Sequence, residues 1–264
     1  DNYAKDNFID RIYSVGGASG LLNNGERTTV NMVYVKDCED NAVYDIEGAK
    51  NLRITTLIAE TCSDEVLVFS KDFRPRVERV IAFNCGRGVG VTESTLPSVG
   101  EIYWETDGTY DSGSALYVRT NQANPTDSIT IGRLIVIGVI STGAPILTID
   151  RGGGIKDVRI GEILARLIYN NLSAEKNLSY WNYCERLSID SLDIVVTDGL
   201  GTLTSSDIFN FNLPTNGLVK TSSIGRVRLS NDGGAHQLRL LRVNDPKLFI
   251  DSVAKLRGDT GTPW

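Results

Sequence analysis

The chain has 264 residues, 41% of them apolar, with a formal net charge of −6 and a pI of about 5.0. That apolar share can build a sizeable core, and the acidic balance argues against a nucleic-acid partner, which calls for a basic stripe. A single His and a single Met leave no material for a His-based triad or a multi-His metal site, so no metal or cofactor is expected.

The start, Asp1 to Asn7, is polar and carries no signal-peptide pattern. It reads as the inside of a domain, an excised fragment of a longer chain or a mature module, with residues 1–264 as one domain. The longest apolar run, around Leu134 to Ile140, is too short to span a membrane, so no membrane insertion is expected.

In chain order, one four-residue pattern recurs: apolar, two polar or small residues, apolar. It begins at Ile9, Val30, Ile54, Val77 and Val99, then at Ile131, Ile160, Ile189, Ile224 and Ile250. Spacings run from 21 residues (Ile9 to Val30) to 35 (Ile189 to Ile224). A fixed motif with unequal spacing implies a constant unit with variable loops. Short stretches of period-two alternation precede the motifs, at 42–46, 66–69, 89–91, 115–118, 146–149, 208–211 and 238–241. These predict strands. The motif itself reads as a tight turn between two further short strands, with Gly or Asp at its first turn position. The expected fold is all-β: a parallel β-helix (solenoid) of about ten rungs with three short strands per rung.

Equivalent positions should then stack in columns. The third motif position reads Arg79, Glu101, Arg133, Glu162, an alternating charge ladder. Cys38, Cys62 and Cys85 each lie eight residues past a motif start. They lack C-x-x-C spacing and read as stacked free thiols of a protein assembled in a reducing cytoplasm. The fifth column reads Tyr13, Tyr34, Ile58, Ile81, Tyr103, Ile135, Leu164, then Asp193, Arg228, Ala254. Its neighbours at positions four and six point inward, so this column points outward. Seven apolar residues in a row on an outer face predict a symmetric oligomer contact.

These turns, the internal Cys stack, the polar start and the apolar outer column together resemble the central β-helix of phage tailspikes and tail fibres, of the right-handed, pectate-lyase-like superfamily. The likeness is one of architecture and spans residues 8–256. It implies a homotrimer on the virion tail, beside other tail proteins, that acts outside the cell on a bacterial surface polysaccharide: O-antigen, capsule or teichoic acid. It further implies an endoglycosidase or lyase, or else a non-catalytic receptor-binding segment. The polygalacturonase signatures Asn-Thr-Asp, Asp-Asp and Gly-His-Gly are absent from the sequence, which disfavours a plant-cell-wall enzyme. A secreted, monomeric bacterial polysaccharide lyase or epimerase is the third alternative.

Glycan binding calls for aromatic platforms beside polar groups, and glycosidic cleavage for two carboxylates. The segment Tyr103 to Asp111 reads as an insertion offering Trp104, Glu105, Asp107, Tyr110 and Asp111. Position six would instead place Trp104 in the core. The cluster from Tyr180 to Glu185 offers Trp181, although 178–183 also aligns as a strand, and Tyr117 is a further aromatic candidate. Glu47, Glu93 and Asp150 form a proposed carboxylate column near one sheet edge. Glu101 and Glu162 belong to the charge ladder, His236 reads as an exposed turn residue, and the Gly152 to Gly154 run reads as a tight corner.

Overall fold

The computed structural model describes residues 5–45, 49–109, 113–119, 126–140, 144–150, 155–170, 175–181, 184–199, 205–211, 221–232, 237–243 and 248–255. Among them there is no helix. In chain order the strands are β1 (Phe8–Val15), β2 (Leu21–Asn23), β3 (Thr29–Lys36), β4 (Val43–Asp45), β5 (Arg53–Glu60), β6 (Glu65–Ser70), β7 (Arg76–Phe83), β8 (Arg87–Thr92), β9 (Ser98–Thr106) and β10 (Leu116–Arg119). There follow β11 (Ser128–Ile140), β12 (Leu147–Asp150), β13 (Ile155–Tyr169), β14 (Glu175–Asn177), β15 (Ser179–Trp181), β16 (Cys184–Asp198), β17 (Ser205–Phe211), β18 (Thr221–Asp232), β19 (Gln237–Val243) and β20 (Leu248–Lys255).

The strands make two parallel sheets. The first runs β1-β3-β5-β7-β9-β11-β13-β16-β18-β20, and each member carries one copy of the four-residue motif. The second runs β2-β4-β6-β8-β10-β12-β15-β17, with β14 and β19 also pairing β17. The strands expected before the motifs are these second-sheet strands.

The motif differs from expectation. It does not separate two strands; it bends one. Register runs Ile9↔Val30 and then Arg11↔Met32, passing over the second motif position, and does so on every described pair of this sheet. Gly suits that bend where backbones crowd: a Cβ on Gly132 would lie 2.4 Å from the Gly100 carbonyl oxygen. The third contact strip is a row of single parallel bridges, Lys5↔Glu26↔Lys50↔Phe73↔Thr95.

Between that row and the first sheet the chain turns through Asp6, Arg27, Asn51, Arg74 and Leu96, each left-handed with φ of 54–56°. Stacked hydrogen bonds hold these turns. The Arg27 amide donates to the Lys50 carbonyl at 2.8 Å, the Asn51 amide to Phe73 at 2.9 Å, and the Arg74 amide to Thr95 at 2.8 Å. Each αL residue so aligned offsets its local cost by a backbone bond to the next repeat.

The core lies between the sheets. Motif positions one, four and six supply buried columns such as Ile54–Val77–Val99, Leu57–Val80–Ile102 and Ala59–Ala82–Trp104. The cysteines stack as expected: the Ser63 amide donates to the Cys38 carbonyl at 3.1 Å, and the Gly86 amide to the Cys62 carbonyl at 2.9 Å. All three are buried and free. Hydrogen bonding with Cys62, then burial, pushes the Cys38 thiol pKa well up. Contact with Cys38 pulls the Cys62 thiol down, but Cys85 and burial outweigh it and raise it to about 12.

Candidate functional site

Two outer faces stand out, one on each sheet. On the first, the fifth motif column is in register throughout, from Tyr13↔Tyr34 through Ile58, Ile81, Tyr103 and Ile135 to Leu164, Asp193 and Arg228. Flanking residues such as Leu57 and Ala59 are fully buried, so alternation turns the column outward. Tyr13 is 68% exposed, and Tyr34, Ile58, Ile81, Tyr103 and Leu164 are half-buried. The Tyr13 and Tyr34 rings lie 5.2 Å apart. Ile135 departs from the pattern at 7% exposed. It sits between Tyr103 and Leu164 on its paired strands and adds little open surface. The column ends in charge: Asp193 pairs with Arg166 at 3.0 Å and Arg228 at 3.7 Å.

The charge ladder lies on this sheet too. Arg79 Nε meets Glu101 at 2.8 Å, Arg133 meets Glu101 at 3.8 Å, and Arg133 Nε meets Glu162 at 2.6 Å. These ion pairs are exposed, and each contributes about 0–1 kcal/mol.

On the second sheet the outward column runs Leu22, Tyr44, Val68, Gly90, Tyr117, Thr148. Tyr117 is half-buried and the Arg87 guanidinium carbon lies 5.0 Å from its ring centroid. Arg87 Nη1 also donates to Glu65 Oε1 at 2.7 Å and Asp64 Oδ1 at 3.2 Å. Beside the ring, the Ser114 and Thr148 hydroxyls are 2.7 Å apart. Burial, and then the hydrogen bond to Glu65, push the Asp64 pKa up to about 6 against the pull of Arg87. The cluster joins an aromatic ring, a fixed cation, two hydroxyls and a carboxyl that holds a proton close to neutrality. An aromatic ring beside a cation suits the apolar face and hydroxyls of a sugar, and a carboxyl raised toward neutrality suits proton donation. Asp64, Glu65 and Arg87 were not among the sequence candidates. The only signal was an acidic pair at one strand start and an arginine at the equivalent start 22 residues later (Glu65↔Arg87).

Within the expected carboxylate column, Glu93 and Asp150 are out of register. Asp150 pairs with Arg119, and Arg119 with Thr92, so Asp150 falls one position short of Glu93. Strand starts vary between repeats, so counting from them slipped the register by one residue. Glu93 occupies a left-handed turn with φ of 51°. Glu47 lies outside the described residues, as do Tyr110, Asp111, His236 and Gly152 to Gly154, and of Asp150 only the backbone is described.

The supposed insertion is largely strand, since β9 continues to Thr106. Trp104 is fully buried and its indole N–H donates to the Cys85 carbonyl at 3.1 Å, so it offers no face to a ligand. Glu105 accepts from the Tyr103 hydroxyl at 2.5 Å. Asp107 is exposed. Hydrogen bonds from Thr109 first, and from the Asn84 amide at 3.0 Å, hold its carboxyl below the usual aspartate range. It therefore remains an anion and is a poor proton donor. Trp181 pairs in register with Ile149, a position occupied by buried residues in the preceding strands, and its side chain lies outside the described set.

Comparison with protein-family models, curated proteins and solved structures found no match to this chain.

Proposed function

We propose that the chain is a right-handed parallel β-helix of about ten rungs from a phage tailspike or tail fibre, and that as a homotrimer it binds a bacterial surface polysaccharide. The observation that carries the binding role is the cluster of Tyr117, Arg87, Glu65 and Asp64 on the outward face of the second sheet. An aromatic ring with a fixed guanidinium and carboxyls beside it suits a sugar's apolar face and its hydroxyls. The apolar column from Tyr13 to Leu164 lies on the first sheet, which leaves the Tyr117 face open when three chains associate through it. The fold reading is supported by ten parallel strands that each carry one motif copy, and by a second parallel sheet and a row of bridges in the same order.

A second reading adds cleavage, as an endoglycosidase or lyase. It is favoured by Asp64, whose carboxyl is raised to about 6 by burial and then by the hydrogen bond to Glu65. The test is a panel of bacterial surface polysaccharides incubated with the full chain, reading both binding and released oligosaccharide. Binding with products that disappear in Asp64→Asn supports recognition and cleavage. Binding without products leaves the recognition role alone. No binding to any glycan overturns both.

A further inference from the structure

We propose that the outer corner beside Arg53 and Arg76 binds the acidic group of a charged sugar unit, a carboxylate or a phosphate. This rests on the polysaccharide reading above and narrows it to an anionic glycan.

Arg53 and Arg76 are register partners on β5 and β7. Both are exposed, and the next residues, Ile54 and Val77, are buried, so both arginines leave the outer face side by side. Like charges directly opposite one another disfavour a sheet. Elsewhere along the first sheet and its corner such charges are matched: Arg27 with Asp6, Arg79 with Glu101, Arg133 with Glu162. Among the described residues, Arg53 and Arg76 make no ion pair. In a chain of net charge −6, two adjacent unmatched guanidiniums require a separate explanation. A ligand anion supplies one, because a guanidinium fork matches carboxylate and phosphate oxygens.

The corner is also shaped for a sugar. A groove of about 490 Å³ is lined by Asn7, Phe8, Arg27, Thr29, Asn51 and Arg53. The left-handed turns at Arg27 and Asn51 form its wall. The two amides and the hydroxyl can hydrogen-bond ring hydroxyls, and the exposed Phe8 ring offers an apolar surface. Asp6 lines the groove as well, but its two oxygens accept from Arg27 Nε at 2.5 Å and Nη2 at 2.7 Å. Its charge is already matched and does not repel an anion. Arg74, stacked 4.8 Å over Phe73, adds a third cation at the same corner.

The experiment titrates the full chain, Arg53→Gln, Arg76→Gln and Tyr117→Ala with a hyaluronan octasaccharide, poly(glycerol phosphate) and neutral dextran, by calorimetry at low and high salt. The expected result is salt-sensitive binding of at least one anionic polymer. Each Arg→Gln change should weaken it about tenfold, the loss of one charge-assisted hydrogen bond. Unfolding temperatures of the arginine variants should be unchanged or raised, since a like-charge contact is removed. Binding of hyaluronan identifies a carboxylate ligand, and binding of poly(glycerol phosphate) a phosphate. Binding weakened by Tyr117→Ala but untouched by either arginine change overturns this inference and leaves the polysaccharide reading standing. Binding to the neutral polymer alone does the same. No binding to any of the three overturns the anionic site, and the wider glycan panel then decides the polysaccharide reading by itself.

Discussion

The carboxyl groups of Asp45 and Asp72 act on each other inside the protein. Both residues are buried, and the Asp45 Oδ2 and Asp72 Oδ1 atoms have no hydrogen-bond partner. The opposite oxygens are taken: Asp45 Oδ1 accepts from the Asn23 amide at 2.6 Å, and Asp72 Oδ2 from the Ser70 backbone at 2.9 Å. Two ionised carboxylates would repel in this buried pair, which favours a hydrogen on one of them. Burial raises the Asp45 pKa to about 6, against the pull of Asn23 and Asp72. Burial and then the Asp45 charge raise that of Asp72 to about 10.

The consequence is a stability that falls with rising pH. Both groups keep their protons in the folded chain past the ordinary aspartate value of 3.8, where the unfolded chain releases them. The contribution is full below that value. It declines up to about 6 through Asp45 and continues to decline toward about 10 through Asp72. Asp72→Asn keeps an acceptor for Ser70 and offers Asp45 a donor that never titrates. It should stabilise the chain by roughly 1–3 kcal/mol at mildly alkaline pH and flatten the profile. Urea unfolding across pH reads both effects. A profile unaltered by the substitution would contradict the coupling of the two carboxyls.

The apolar column predicts association. Ile81→Glu places a charge in the middle of the outward row and should convert a trimer to monomers without changing the circular dichroism of the chain. Sedimentation equilibrium reads the outcome. Wild-type chain sedimenting at the single-chain mass of 28.8 kDa would count against the oligomer and favour a monomeric lyase.

Trp104 separates core from site. It fills a column whose members on the two preceding strands are alanines, Ala59 and Ala82, and its ring is fully buried. Trp104→Ala should cost about 3–5 kcal/mol in unfolding free energy. Below its unfolding temperature the variant should bind glycan as the wild type does. Selective loss of binding in a still-folded variant would return Trp104 to the site.

The thiol stack should be chemically silent. Cys38, Cys62 and Cys85 are buried, and the Cys38 and Cys62 thiols are pushed above the range in which thiolate forms. Iodoacetamide should leave all three unmodified in the native chain and modify them in urea, as read by peptide mass spectrometry. Reductant should not change the unfolding temperature. Fast native alkylation of Cys62 would contradict the stack.

Columns set by a strong apolar pattern were legible in the sequence. The outward row, the charge ladder and the cysteine stack all lie within or just after the motif, whose apolar positions pin the register. The second sheet was legible as a set of strands but not in register at its ends, because loop lengths vary, and Asp150 was misplaced by one residue for that reason. The left-handed corner was hidden because Arg27, Arg74 and Leu96 carry none of the Gly or Asn signals of such turns. The cluster at Arg87 was hidden because Asp64, Glu65, Arg87 and Tyr117 come from three repeats and meet only once those repeats stack.

The most direct measurement is the affinity of the full chain and of Tyr117→Ala for a bacterial surface polysaccharide that the wild type binds in the panel. If the second-sheet face is the binding surface, the substitution should weaken binding by roughly 1–3 kcal/mol, or about tenfold to a hundredfold, with the unfolding temperature little changed. Equal affinity in a folded Tyr117→Ala chain, or no glycan bound by the wild type at all, would contradict it.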